Sequence, residues 1–273
     1  MNPTPTISTG ALPSAANHLN PPSPPVVLEV DHLHVERGGY RALQDVSFVV
    51  RAGEFVAVMG RSGAGKTTLM HVLAGLLAPS AGRVHWEGAC GQPCCRRPAP
   101  TNGQPDVRVA VMFQHYRLVP QLSALANVIC GRLGAYPWWR TAVGWPRAEK
   151  QLALRWLNRV GLGERAALKA RQLSGGEQQR VGFARALIQE PTVLLADEPV
   201  ASLDAETANE MMGLLAELNR QSGLTIICVL HDLEMAERYT QRVLLLDRGL
   251  LLHDGPAENL AGLVREKLQW QTL

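Results

Sequence analysis

The sequence predicts an α/β domain built on a mostly parallel sheet covered on both faces by helices. Three observations carry that expectation. Short continuous apolar runs stand where buried central strands belong, Phe55 to Met59 ending at Gly60 and Val193 to Ala196. The last third of the chain alternates patterns: helix Glu206 to Arg220, strand Thr225 to Leu230, helix Leu233 to Tyr239, strand Val243 to Leu246. Such alternation implies parallel strands joined by helical crossovers. The stretch from about His115 to Gln172 has helical but no strand patterning, which marks a separate helical lobe.

The remaining elements follow in order. Residues 1–27 are rich in Pro, Ser, Thr and Asn and read as a disordered tail, because they offer too little apolar surface to offset ordering. They lack the basic start and apolar stretch of a secretory signal. Leu28 and Val30, then Val46, Phe48 and Val50, alternate with polar residues as half-exposed strands do. Lys66 to Leu77 reads as a helix stopped by Pro79, and Val107 to Phe113 as a strand. Ser123 to Leu133, Ala148 to Val160 and Gly176 to Gln189 read as helices. The domain is expected over residues 28–255, with 256–273 as a short C-terminal extension.

Composition excludes several classes of function. The chain has 273 residues, 46% of them hydrophobic, and a formal net charge of +3, so no bulk charge calls for nucleic acid. No apolar run approaches the roughly 18 residues of a membrane span, so contact with a membrane is expected through a partner alone. The five cysteines are odd in number and point to a reduced, cytosolic chain rather than a disulfide framework. Cys90, Cys94 and Cys95 cluster in a Pro- and Gly-rich stretch without a fourth ligand at suitable spacing, and read as part of a variable surface loop.

Gly60-Arg61-Ser62-Gly63-Ala64-Gly65-Lys66-Thr67, followed by Thr68, fits a P-loop and lies between a predicted strand and a predicted helix. The glycines let backbone N–H groups curl toward phosphate oxygens, and the helix adds its positive dipole end. Lys66 can reach the β- and γ-phosphates, and the Thr67 hydroxyl can ligate Mg²⁺. Asp197 and Glu198 end the second apolar run, where a parallel sheet delivers both acids beside the P-loop. Asp197 is expected to hold Mg²⁺ and Glu198 to polarise the attacking water, two roles that require two carboxylates. The pattern is that of a nucleoside-triphosphate site.

Leu173-Ser174-Gly175-Gly176-Glu177-Gln178-Gln179-Arg180 places a serine and two glycines at a helix start, which offers free N–H groups to an anion. With the P-loop and acid pair, it resembles the signature of ATP-binding-cassette proteins, and the resemblance extends over Leu28 to Gly255. That resemblance implies a P-loop NTPase core, an antiparallel β subdomain and an inserted α-helical subdomain. It also implies a head-to-tail homodimer in which Ser174, Gly175, Gly176 and Glu177 complete the partner's ATP site. Gln114 matches the glutamine that senses Mg²⁺ and water, Asp204 ends the Ser202-Leu203-Asp204 loop between sites, and His231 matches the histidine that touches the γ-phosphate. The adenine-stacking position falls near Arg37 and Tyr40, with Tyr40 preferred.

The segment Gln114 to Trp145 is expected to dock on the permease, and within it Leu133-Gly134-Ala135-Tyr136-Pro137-Trp138-Trp139-Arg140 is similar to the phosphonate-importer ATP-binding subunits; packing within the helical lobe is the alternative. The implied function is energy coupling in a phosphonate importer, peripheral to the cytoplasmic face of the inner membrane, with transmembrane permease subunits and a solute-binding protein as partners. An exporter or lipoprotein-release ATPase is the alternative in the same fold. A non-transport ATPase acting on nucleic acid or ribosomes usually has two cassettes or a coiled-coil insertion, and neither is visible. A degenerate regulatory module is disfavoured by the presence of Lys66, Glu198 and His231.

Overall fold

A computed structural model describes residues 24–87, 107–113, 118–136 and 144–268. The chain begins β1 (Val26–Arg37), β2 (Tyr40–Arg51), β3 (Phe55–Gly60), α1 (Lys66–Leu73), β4 (Ala81–Trp86) and β5 (Val109–Met112). The helical middle contains α2 (Ala124–Ile129), a 3-10 helix at Cys130–Ala135, α3 (Arg147–Arg159) and α4 (Gly175–Leu187). It closes with β6 (Val193–Asp197), α5 (Ala205–Ser222), β7 (Thr225–Val229), α6 (Leu233–Tyr239), β8 (Arg242–Asp247), β9 (Leu250–Pro256) and α7 (Leu260–Leu268).

The central sheet has six strands in the order β5-β6-β7-β3-β8-β9, and the β8–β9 pair alone among them is antiparallel. Its central strands are apolar throughout because both faces are covered. Phe55, Ala57 and Met59 of β3 face one core, while Val56 and Val58 face the other. The same alternation runs along β6, where Leu194 and Ala196 oppose Val193 and Leu195. The first core is closed by α2, α3, α4 and α5, and the second by α1 beneath a separate antiparallel sheet ordered β2-β1-β4. Each fully buried Leu or Phe adds about 1.5–3 kcal/mol to this packing.

Several local expectations are corrected. β1 starts at Val26, inside the expected tail, because Val27 is buried and Val26 pairs with Arg51. Helix α1 ends at Leu73 rather than Leu77. Gly75, at φ 68°, takes the left-handed position, and the Gly75 and Leu76 amides close back on the Val72 and His71 carbonyls. That pairing is a Schellman stop, reached well before Pro79. The helix expected at Ser123 to Leu133 is α2 followed by the 3-10 helix, where Gly131 lies against the Arg185 carbonyl of α4.

Candidate functional site

Strands β6, β7 and β3 are neighbours and parallel, so their C-terminal ends deliver the Asp197–Glu198 turn, His231 and the P-loop to one edge of the sheet. Gly60 cannot be replaced without rebuilding the loop. Its φ is 146°, and a Cβ there would stand 2.0 Å from the Leu246 carbonyl oxygen. Gly65, at φ 104°, lies under the Ala42 carbonyl with the same consequence. The far side of the loop is held by the Gly249 amide, which donates to the Ala64 carbonyl at 3.0 Å. Arg61, Ser62 and Gly63 remain exposed, as does Thr67, while Ala64 is buried and Thr68 half-buried.

Lys66 is buried, and its Nζ donates to the Gly60 and Arg61 carbonyls at 2.8 Å each. Burial pushes its pKa down, against the pull of Glu198 and Asp197. Asp197 is 3% exposed and is pushed above the usual carboxylate range, first by burial and then by the adjacent Glu198 charge. A hydrogen bond from Thr67 and the nearby His71 and Lys66 act in the opposite direction. The Asp197 Oδ1 is buried without a hydrogen-bond partner among the described residues. Glu198 turns away from the strand at φ 52°, and its Oε1 lies 2.7 Å from His231 Nε2. A carboxylate only accepts, so the imidazole presents Nε2–H to it.

Ser174 is the N-cap of α4. Its Oγ accepts from the Glu177 amide at 3.3 Å, and its own amide donates to Glu177 Oε2 at 2.8 Å, a reciprocal capping box. Arg165 fixes Glu177 through a 2.6 Å ion pair. Gly175 is exposed and Gly176 lies against Leu203, so the helix tip keeps open backbone beside the Ser202–Asp204 segment. Asp204 caps α5 by accepting from the Thr207 amide and hydroxyl, and those bonds hold its carboxyl below the usual range. Tyr40 and Arg37 stand directly opposite across a Gly38–Gly39 turn, with Tyr40 59% exposed. The two adenine candidates thus share one hairpin tip.

Gln114 and the Pro137-Trp138-Trp139-Arg140 segment lie outside the described residues, as do Cys90, Cys94 and Cys95. For Tyr136 and Trp145 the structure gives the internal alternative. The Tyr136 hydroxyl donates to Glu149 at 2.5 Å, and its ring meets that of Trp145 edge-on at 6.1 Å. Arg132 completes this cluster with a largely buried ion pair to Glu149. Sequence reasoning assigned no role to Gln179, whose buried amide joins α4 to the turn after β6. Its burial follows from the packing of α4 beside that turn, and no local sequence signal marks it.

A mostly parallel, P-loop-bearing sheet with a helical lobe that presents a glycine-rich helix tip defines a nucleotide-hydrolysing cassette. Residues 43–201 match the ABC transporter family, and the chain belongs to it as an ABC ATPase. It is 45% identical to the Phosphonates import ATP-binding protein PhnC 2 of Nostoc sp., covering 80% of this chain and 87% of that one. It is also 45% identical to the Phosphite import ATP-binding protein PxtA of Stutzerimonas stutzeri, covering 85% and 83%. Among solved structures, a dimeric ATP-binding cassette in a post-hydrolysis state bound to ADP and Pi superposes with a TM-score of 0.71 at 28% identity, covering 85% of this chain and 99% of that chain.

Proposed function

We propose that this protein is the ATP-hydrolysing, energy-coupling subunit of an importer for phosphonates or a closely related phosphorus oxyanion. The observation that carries the solute class is its equal identity, 45% over most of its length, to a phosphonate and a phosphite import subunit. Both solutes present a compact tetrahedral oxyanion with one oxygen of phosphate replaced, so one transport system serves that chemistry.

In this reading the P-loop amides and Lys66 bind the triphosphate. Lys66 is already desolvated and bonded to two carbonyls, so taking up phosphate oxygens exchanges acceptors without a new burial cost. Thr67 and Asp197 suit Mg²⁺, because hydroxyl and carboxylate are hard oxygen donors and Asp197 Oδ1 is a buried acceptor without a hydrogen-bond partner among the described residues. When bound, the ion neutralises phosphate charge. Glu198 takes the proton of the attacking water, and His231 fixes its carboxylate. Gln114, which lies outside the described residues, is the glutamine that senses Mg²⁺ and water in this reading, and Tyr40 or Arg37 lies against adenine. Two copies pair head to tail, with Ser174 to Glu177 facing the partner's nucleotide and Asp204 near the seam. Permease subunits and a solute-binding protein complete the system at the cytoplasmic face of the membrane. In this reading attachment to the membrane is through the permease; among the described residues, no helix is long and apolar enough to cross a membrane.

The test is reconstitution of the chain with its permease and solute-binding protein in vesicles, with ATP hydrolysis measured against added solute. Phosphonate or phosphite should stimulate turnover, and inorganic phosphate should do so weakly. Stimulation confined to an unrelated solute rejects the assignment.

A further inference from the structure

Gln179 lies in α4, fully buried, with its side-chain amide turned toward the segment that follows β6. Its Nε2 donates to the Pro199 carbonyl at 2.5 Å and to the Glu198 carbonyl at 3.4 Å. Carbonyl oxygens only accept, so chemistry fixes which end of the amide points there. The other end, Oε1, is buried with no hydrogen-bond partner among the described residues. An orphaned acceptor is unfavourable, and an apolar side chain of similar length avoids it. The donor end is what distinguishes glutamine from such a side chain here.

That donor end grips strained backbone. Glu198 sits at φ 52°, a left-handed conformation uncommon for a residue with a Cβ. The same bend carries the Glu198 carboxylate out of line with β6 and onto His231. The Glu198 carbonyl also accepts from the Ala201 amide at a long 3.4 Å, as long as its bond from Gln179, so the firm hold on this turn is the 2.5 Å bond from Gln179 to the Pro199 carbonyl.

We propose that Gln179 is a positioning residue for the reaction: its amide pins the Glu198–Pro199 backbone and so sets where the Glu198 carboxylate stands. Because Gln179 and Ser174 belong to one helix, the element that offers its tip to phosphate also fixes the group that activates water. This rests on the reading of Glu198 as that group. Displacing a reacting group by about 1 Å can cost about 100-fold in rate, so the effect belongs in kcat.

The experiment uses the full-length chain and three variants side by side: Gln179→Met, Gln179→Glu and Glu198→Gln. Melting temperature, affinity for a fluorescent ATP analogue, and steady-state kcat and KM are measured. Turnover is normalised to bound nucleotide so that an unfolded fraction drops out. Gln179→Met should melt near wild type and keep KM within about twofold, while kcat falls at least about tenfold. Gln179→Glu keeps the size but sets an acceptor against two carbonyls, so its kcat should fall as far or farther. Wild-type kcat per bound nucleotide in either Gln179 variant overturns the proposal. So does a loss shared between KM and thermal stability with kcat spared. Normal hydrolysis by Glu198→Gln removes the underlying reading instead, whatever Gln179 does. An inactive Glu198→Gln beside a fully active Gln179→Met removes the positioning role alone.

Discussion

The pocket at the ends of β3, β6 and β7 and the exposed tip of α4 are built in opposite ways. In the pocket, Lys66 and Asp197 are buried, their titration is shifted by desolvation, and their neighbours are fixed by strand order. At the tip, Ser174 and Gly175 are exposed, and the side chains that cap the helix satisfy one another. The first surface is organised from within one chain. The second is open backbone at a helix start, the form that the proposed composite site requires of the half offered to a second copy. Burial marks what one chain must hold by itself, and exposure marks what it offers.

The largest effect belongs to Glu198→Gln. It keeps the side-chain size and removes the carboxylate that can take a proton. Turnover should fall by about 100-fold or more, while nucleotide affinity stays near wild type. Steady-state phosphate release and equilibrium titration separate the two. If hydrolysis survives, the pocket is organised for binding and the acid pair has no division of labour.

Next is Lys66→Ala, which should act on affinity itself. A charge-assisted hydrogen bond contributes about 1.5–3 kcal/mol, so ATP should bind roughly tenfold to a hundredfold more weakly. The Gly60 carbonyl also loses its donor, which should lower the melting temperature of the chain without nucleotide. Calorimetry of both quantities checks this. A binding loss with unchanged melting would mean that Lys66 is not part of the loop's own scaffold.

The pocket was largely legible in the sequence because its signals are local. A glycine-rich turn after an apolar strand, or two acids at a strand end, needs no knowledge of distant contacts, and β3 and β6 are read from continuous runs. What escaped was set by tertiary contact. β4 is largely exposed except Val84 and Trp86, so it shows no burial rhythm. β9 is an edge strand paired with β8 through the Arg248–Gly249 turn, and its partial exposure reads as loop. The Gly75 stop was hidden by the more conspicuous Pro79. Gln179 stood in plain view within the signature string, yet its partners Glu198 and Pro199 are found only once α4 is packed beside the turn.

The smallest effect on the isolated chain, and the sharpest probe of the helix tip, comes from Ser174. If it is an N-cap and nothing more, Ser174→Ala should cost about 1 kcal/mol of stability, and Ser174→Asp should restore it, since Asp caps as well as Ser. The same Asp places a negative charge at the position expected to face a partner's phosphate. Capping and phosphate recognition therefore make opposite demands of one substitution. Ser174→Asp should melt within about 0.5 kcal/mol of wild type and bind ATP normally as a monomer. It should fail to dimerise with ATP and fail to hydrolyse it. Analytical ultracentrifugation of the hydrolysis-impaired Glu198→Gln background, with and without Ser174→Asp, reads the dimer directly. An ATP-dependent dimer that tolerates the added charge would place the tip of α4 away from the second nucleotide, and the contrast between the two surfaces would reduce to ordinary helix capping.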